Sequence, residues 1–286
     1  MDQQIGRRFL LALTSWAIDS DSIDTSVGPV QVWSAQGGGS GPAVVLFHGF
    51  GSSAMAWMPM LAQLRPHVSS VVAIDLPGHG LSVRPERLTE EVLARGLVEG
   101  LDAVPFSRAV LIGNSLGGAA AVRYLHARPQ RVAGALLFSP AGAPMTDAEL
   151  DALRAVFRID GHLDAVAFVR RLRARPLGVE AHLLAPLLRR TLSDPVLREW
   201  LGSVSPDQFL QPEEIAGIRA PIEVVWGRQE RVLPAAAREF WRANLPPHGV
   251  LDEPEGFGHS PFLDDRKWVA DRIVAFTRRV EHLGAP

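Results

Sequence analysis

The sequence predicts an α/β fold: a mostly parallel, eight-stranded sheet flanked by helices on both faces, with a helical cap inserted into it. Three observations carry that expectation. Short, almost wholly apolar runs of strand length recur along the chain, and they alternate with amphipathic stretches of helical period. The alternation stops between about 143 and 215, where amphipathic helices follow one another without strands. Continuous rather than alternating hydrophobicity within the short runs is what a strand buried on both faces requires, and that is the pattern of a parallel sheet covered by helices.

Residues 1–22 are expected to form an N-terminal helical segment. Arg7 and Arg8 precede an apolar run from Phe9 to Leu13, and Phe9, Leu13 and Trp16 share one helical face. The run falls far short of the roughly 18 apolar residues of a membrane span, and no small-x-small cleavage site follows it cleanly. It reads as a helix packed on the body, with an export signal or a membrane-surface helix as the alternative. The sheet domain is expected over 23–142 and 216–286. Its strands are read at 23–27, 30–33, 43–47, 71–74, 109–112, 132–138 and 222–226, with a weaker one at 250–251. Helices are expected at about 54–64, 88–103, 116–127, 235–244 and 265–282. In the cap, 143–215, Thr146-Asp147-Ala148-Glu149 is a helix start signal. The cap also carries Arg170, Arg171, Arg173, Arg175, Arg189 and Arg190, read as a solvated face, with a docking surface for an acidic substrate or carrier as the alternative.

Composition removes several classes of function. The chain has 286 residues, 47% of them hydrophobic, enough for one large core plus an insertion. A net charge of −2 does not suggest nucleic acid as a partner, which usually needs a basic face. With no cysteine, disulfides, thiolate chemistry and cysteine-based metal sites are excluded, which suits a reducing cytoplasm. The run Gly37-Gly38-Gly39-Ser40-Gly41-Pro42 lacks the Gly-Lys-Ser/Thr ending of a phosphate loop and is read as a flexible turn. The expected partner is a small molecule, with no nucleic acid and no integral membrane span, and the sequence carries no signal for oligomeric state.

Chemistry concentrates at four places. Gly113-Asn114-Ser115-Leu116-Gly117 follows an apolar strand and opens a helix, so Ser115 is expected on a tight strand-to-helix turn that lifts its hydroxyl above the sheet. The amide of Leu116 then lies at a helix N-terminus, suited to a developing negative charge. Phe47-His48-Gly49-Phe50-Gly51 follows another strand, and the amide of Phe50 is the expected second donor of an oxyanion hole, with His48 orienting the loop. Of nine histidines, only His259 lies in a glycine-flanked loop after the last strand, in Gly256-Phe257-Gly258-His259-Ser260-Pro261. It is the expected general base. Glu230, shortly after the strand at 222–226, is the expected carboxylate that fixes the imidazole, with Asp252 and Glu255 as fallbacks. Trp57, Asn114 and Phe262 flank these positions and are expected to line a substrate pocket, against core packing as the alternative.

These motifs, together with Asp75-Leu76-Pro77-Gly78-His79-Gly80-Leu81-Ser82, occur in the order and spacing of the α/β-hydrolase superfamily. The chain resembles its lid-bearing esterase/lipase-like branch over about 25–142 and 216–283. The resemblance implies carboxylic ester hydrolysis through an acyl-enzyme, with Ser115, His259 and Glu230 as triad and no metal or organic cofactor. Glutamate at 230 departs from the commoner aspartate. Dehalogenases and epoxide hydrolases of this fold use an aspartate nucleophile, which Ser115 argues against. Gly113 to Gly118 also looks like the elbow of carbon–carbon bond hydrolases acting on ring-cleavage products. The asparagine and tryptophan patterns of those enzymes are not evident here, so that reaction and lactone opening rank behind ester hydrolysis. A binding protein with a vestigial triad is the reading from a different class.

Overall fold

The sheet is built from β1 (Asp19–Thr25), β2 (Gly28–Gln36), β3 (Ala43–Phe47), β4 (Ser70–Ile74), β5 (Ala109–Asn114), β6 (Val132–Phe138), β7 (Ile222–Val225) and β8 (Val250–Asp252). The computed structural model describes residues 18–175 and 177–283, so the apolar face of Phe9, Leu13 and Trp16 lies outside the described residues. Across the sheet the order is β1-β2-β4-β3-β5-β6-β7-β8. The β1–β2 and β2–β4 pairs are antiparallel and all others are parallel. Every residue of β3, β5 and β6 is buried, which is why these strands read as unbroken apolar runs.

Strand β1 begins at Asp19, which corrects the expected boundary at 22: residues 19–22 belong to the sheet. The cause is physical. Asp19-Ser20-Asp21-Ser22 is polar and exposed, so it carries no apolar signal. It is held by main-chain pairing from Asp19 opposite Ser34 to Thr25 opposite Gly28. Charge on an edge strand also discourages pairing with a further chain.

The helices are α1 (Met58–Leu64), α2 (Glu90–Asp102), α3 (Leu116–Ala127), α4 (Asp147–Phe157), α5 (His162–Arg171), α6 (Glu180–Leu192), α7 (Pro195–Ser203), α8 (Pro212–Ala216), α9 (Ala235–Asn244), α10 (Pro261–Asp264) and α11 (Arg266–Leu283). Alternate residues of β3 face opposite layers, as the period of a strand demands. Val45 and Phe47 pack with α2, α3 and α9 through Leu97, Tyr124 and Trp241. Val44 and Leu46 pack with α1 and α11 through Leu61 and Phe276. Helices α4 to α8 all lie between β6 and β7. Phe157, Phe168, Val169 and Leu192 from this stretch form a separate apolar cluster, against which Phe50 of the sheet domain packs. Helix α4 starts on a reciprocal cap: Thr146 Oγ1 accepts from Glu149 N at 3.3 Å, and Glu149 accepts from Thr146 N at 2.9 Å. Among the described residues, no helix is long and apolar enough to cross a membrane.

The turn after β4 is pinned by one buried carboxylate. Asp75 is 1% exposed. Its Oδ1 accepts from Ala54 N at 2.7 Å and its Oδ2 from Leu81 N at 2.9 Å. The Ser82 hydroxyl donates to the Asp75 carbonyl and accepts from Gln31 N at 2.8 Å. The Asp75–Ser82 segment is thereby a structural brace between β2 and the loop after β3. Asp75→Ala leaves two buried N–H groups unpaired and is expected to cost about 2–4 kcal/mol in urea unfolding. A loss below about 0.5 kcal/mol would contradict this account of the turn.

Candidate active site

Ser115 sits between β5 and α3 with φ 55° and ψ −121°, a backbone conformation that L-residues rarely hold. The neighbouring glycines explain how the turn closes. A Cβ on Gly117 would overlap the Phe47 carbonyl, and one on Gly113 would overlap the Gly117 carbonyl. The turn is locked by Ser115 N donating to Phe138 O at 3.1 Å and Ala141 N donating to Ser115 O at 2.9 Å. Leu116 opens α3, so its N–H has no carbonyl four residues back within the helix. Phe50 follows Gly49, where a Cβ would lie 3.4 Å from that of Ser115, so the two loops touch.

His259 and Glu230 form a buried pair. His259 Nδ1 lies 2.8 Å from Glu230 Oε2, and their side chains are 4% and 5% exposed. The other oxygen, Oε1, accepts from Val232 N at 2.7 Å and Leu233 N at 3.1 Å. Burial by itself would raise the Glu230 pKa; the adjacent imidazole and the N–H donors outweigh it and hold the carboxyl below the ordinary carboxylate range. With Nδ1–H donated to the carboxylate, the free lone pair of the imidazole is on Nε2. Ser115 and His259 line one cavity of about 450 Å³.

Other residues fall where their surroundings dictate. Asn114 lines this cavity, but its amide is spent on holding the histidine loop. Its Nδ2 donates to His259 O at 2.8 Å and Phe138 O at 3.0 Å, and its Oδ1 accepts from Ser260 Oγ at 3.2 Å. Phe262 lines the same cavity. Trp57 does not, and its expected place in a pocket is corrected: it is fully buried behind Phe262, with ring centroids 4.9 Å apart, because the turn at 54–56 directs it into the layer under α1. The fallback carboxylates lie elsewhere. Asp252 pairs with Arg272 at 2.8 Å and Glu255 with Arg228 at 2.7 Å. Among the cap arginines, Arg173 lines the cavity, and Arg170 and Arg171 donate to the carbonyls of Leu177 and Arg231.

One residue escaped the sequence reading. Asp264, six residues after Gly258, accepts from Gly258 N at 2.8 Å and from Ala174 N at 3.0 Å. Ser260 N also donates to Leu172 O at 2.9 Å. The histidine loop is thus bonded to the segment between α5 and α6. Nothing in the local pattern Pro261-Phe262-Leu263-Asp264 distinguishes this carboxylate from a surface one.

His48 is buried and braces its loop: Nδ1 contacts Gly49 O at 2.8 Å and Nε2 accepts from Leu76 N at 3.0 Å. Burial lowers its pKa. For the neighbouring His79, burial, reinforced by His48, lowers the pKa to about 3. The unfolded chain takes up this proton first, near pH 6.5, so stability falls as pH drops from about 6.5 toward 3. His79→Phe is expected to flatten the pH dependence of urea unfolding by about 1.4 kcal/mol per pH unit in that window. A dependence that the substitution leaves unaltered would refute the buried, neutral imidazole.

A model of the Alpha/beta hydrolase family matches residues 44–272. An uncharacterized protein of Mycobacterium tuberculosis is 29% identical over 273 residues, spanning 85% of this chain and 77% of that protein. Pimeloyl-[acyl-carrier protein] methyl ester esterase of Xanthomonas campestris is 29% identical over 250 residues, spanning 83% and 96%. Among solved structures, 2-hydroxy-6-oxo-6-phenylhexa-2,4-dienoate hydrolase of Rhodococcus sp. strain RHA1 superposes with a TM-score of 0.77 at 22% identity, covering 91% of this chain and 99% of that one.

Proposed function

The chain belongs to the alpha/beta hydrolase family, and from that premise we propose that it is a serine esterase that cleaves carboxylic esters through an acyl-enzyme. Ser115 is the nucleophile, His259 the base and Glu230 the carboxylate that orients and stabilises the imidazole. The Phe50 and Leu116 amides receive the negative charge that develops on the carbonyl oxygen. The observation that carries the reading is the buried 2.8 Å contact between His259 and Glu230 beside a serine held at φ 55° in the same cavity. A methyl ester esterase among the relatives supports the ester bond as the target.

The order of events follows from the imidazole's two transfers. Nε2 takes the serine proton as Oγ attacks, then returns it to the departing alkoxide; water, deprotonated by the same nitrogen, releases the acid. The leaving group must therefore lie on the His259 side. That is the 450 Å³ cavity, walled by Phe168, Leu188 and Phe262. The acyl part then points the other way, along α3.

A p-nitrophenyl butyrate assay is expected to give a burst of p-nitrophenol equal to the enzyme concentration, followed by slower turnover. A fluorophosphonate is expected to label Ser115, identified by mass spectrometry of the peptide. Absence of both burst and adduct overturns the proposal. Dienoate and lactone substrates assayed alongside discriminate the carbon–carbon and lactone alternatives.

A further inference from the structure

A second chamber opens from Ser115 on the side away from His259. One of its walls is α3, whose Leu116, Ala119, Ala120 and Arg123 recur at the spacing that brings residues onto one helix face. Ala119 and Ala120 leave room that larger side chains would fill. Most of the remaining walls are apolar, with Leu93, Leu150 and Trp200 among them.

The distal part of this chamber is different. Glu90, the first residue of α2, and Arg123 form an ion pair there, with side chains 25% and 24% exposed. Arg123 Nη2 also donates to Gln208 O at 2.6 Å. A guanidinium carries five N–H donors and a carboxylate about four acceptor sites, so one pair and one carbonyl use only part of their capacity. A hydroxyl, which both donates and accepts, matches such a pair; a methyl end would leave both groups desolvated without gain. A carboxylate would meet Glu90 as well as Arg123.

The helix also sets a length. From Ser115 to Arg123 is eight residues, about 12 Å at about 1.5 Å per residue. The arginine side chain leans back toward the N-terminus of its helix, which shortens the reach. An acyl chain advances somewhat less than the C–C bond length of about 1.5 Å per carbon, so about eight carbons span the chamber.

Resting on the esterase reading, we propose that this chamber holds a medium-length acyl group, about eight carbons long, that ends in a hydroxyl bound between Glu90 and Arg123. Helix α3 acts as the ruler, and Glu90 and Arg123 are specificity-determining residues.

The test separates binding from turnover. On the Ser115→Ala protein, calorimetry is expected to show methyl 8-hydroxyoctanoate binding about tenfold more tightly than methyl octanoate. Replacing both partners, Glu90→Leu with Arg123→Leu, exchanges a partly buried ion pair for an apolar one that the fold tolerates; it is expected to reverse the preference toward methyl octanoate. Ala120→Leu blocks the chamber midway and is expected to shift the preferred chain to about four carbons in both series. Equal binding of the two esters, or tighter binding of methyl octanoate to the Ser115→Ala protein, overturns the inference. Selective binding of the hydroxy ester without its hydrolysis by the unsubstituted enzyme sinks the esterase reading instead and leaves the assignment of the chamber standing.

Discussion

Ser115→Ala is expected to lower kcat/KM for p-nitrophenyl esters by about 10⁴-fold or more. The substitution removes only the Oγ. Alanine has the same Cβ, so the turn at φ 55° and its main-chain bonds to Phe138 and Ala141 are retained. A thermal midpoint within a few degrees of the parent is therefore expected alongside the loss. What survives is the contribution of the two amides and of substrate binding, since neither depends on the hydroxyl. A loss of less than tenfold would show that the hydrolysis arises elsewhere in the molecule.

Glu230→Gln is expected to lower kcat by about 10³–10⁴-fold with little change in KM. An amide fills the same volume but cannot stabilise the imidazolium formed during attack. Its NH₂ would face Nδ1 as a donor and favour the tautomer whose proton is on the wrong nitrogen. The carboxylate's own protonation adds a check. Its pKa is depressed in the fold, so its stabilising contact with His259 is present above the unfolded value of 4.5 and is lost as pH falls through the lower folded value. The glutamine variant is expected to lack that component of acid unfolding. Asp252→Ala is the matched control. Its ion pair with Arg272 lies at the sheet edge, where such pairs contribute about 0–1 kcal/mol, so activity is expected to stay within about threefold. An Asp252 variant as impaired as the Glu230 one would refute the assignment of the acid.

The sequence spoke clearly wherever one residue type alone satisfies the geometry. Ser115 was legible because a strand-to-helix turn of this strain needs backbone on both sides without side chains, and Gly113 and Gly117 provide it. The meeting of Glu230 and His259 was legible from their place after β7 and β8, since the carboxyl ends of parallel strands are where their loops converge. Buried strands declared themselves by apolarity, while the first four residues of β1, polar and on an exposed edge, did not. Side-chain direction was not legible either. Trp57 and Phe262 are both aromatic and both near the site, yet one ring is buried in the core and the other lines the cavity, a difference that residue type does not encode. The tasks of Asn114 and Asp264 were hidden for a related reason: both bind main-chain atoms of distant segments, and such bonds leave no periodic trace.

The staple made by Asp264 limits how a substrate enters. Two bonds join residues 172–174 to 258–264, from Ser260 N to Leu172 O and from Ala174 N to the Asp264 carboxylate, which also accepts from Gly258 N within the histidine loop. Swinging this strap outward would carry the imidazole away from the serine before any door had opened. Opening at that edge and a fixed His259 loop exclude each other, so the strap is a standing wall of the cavity rather than its door.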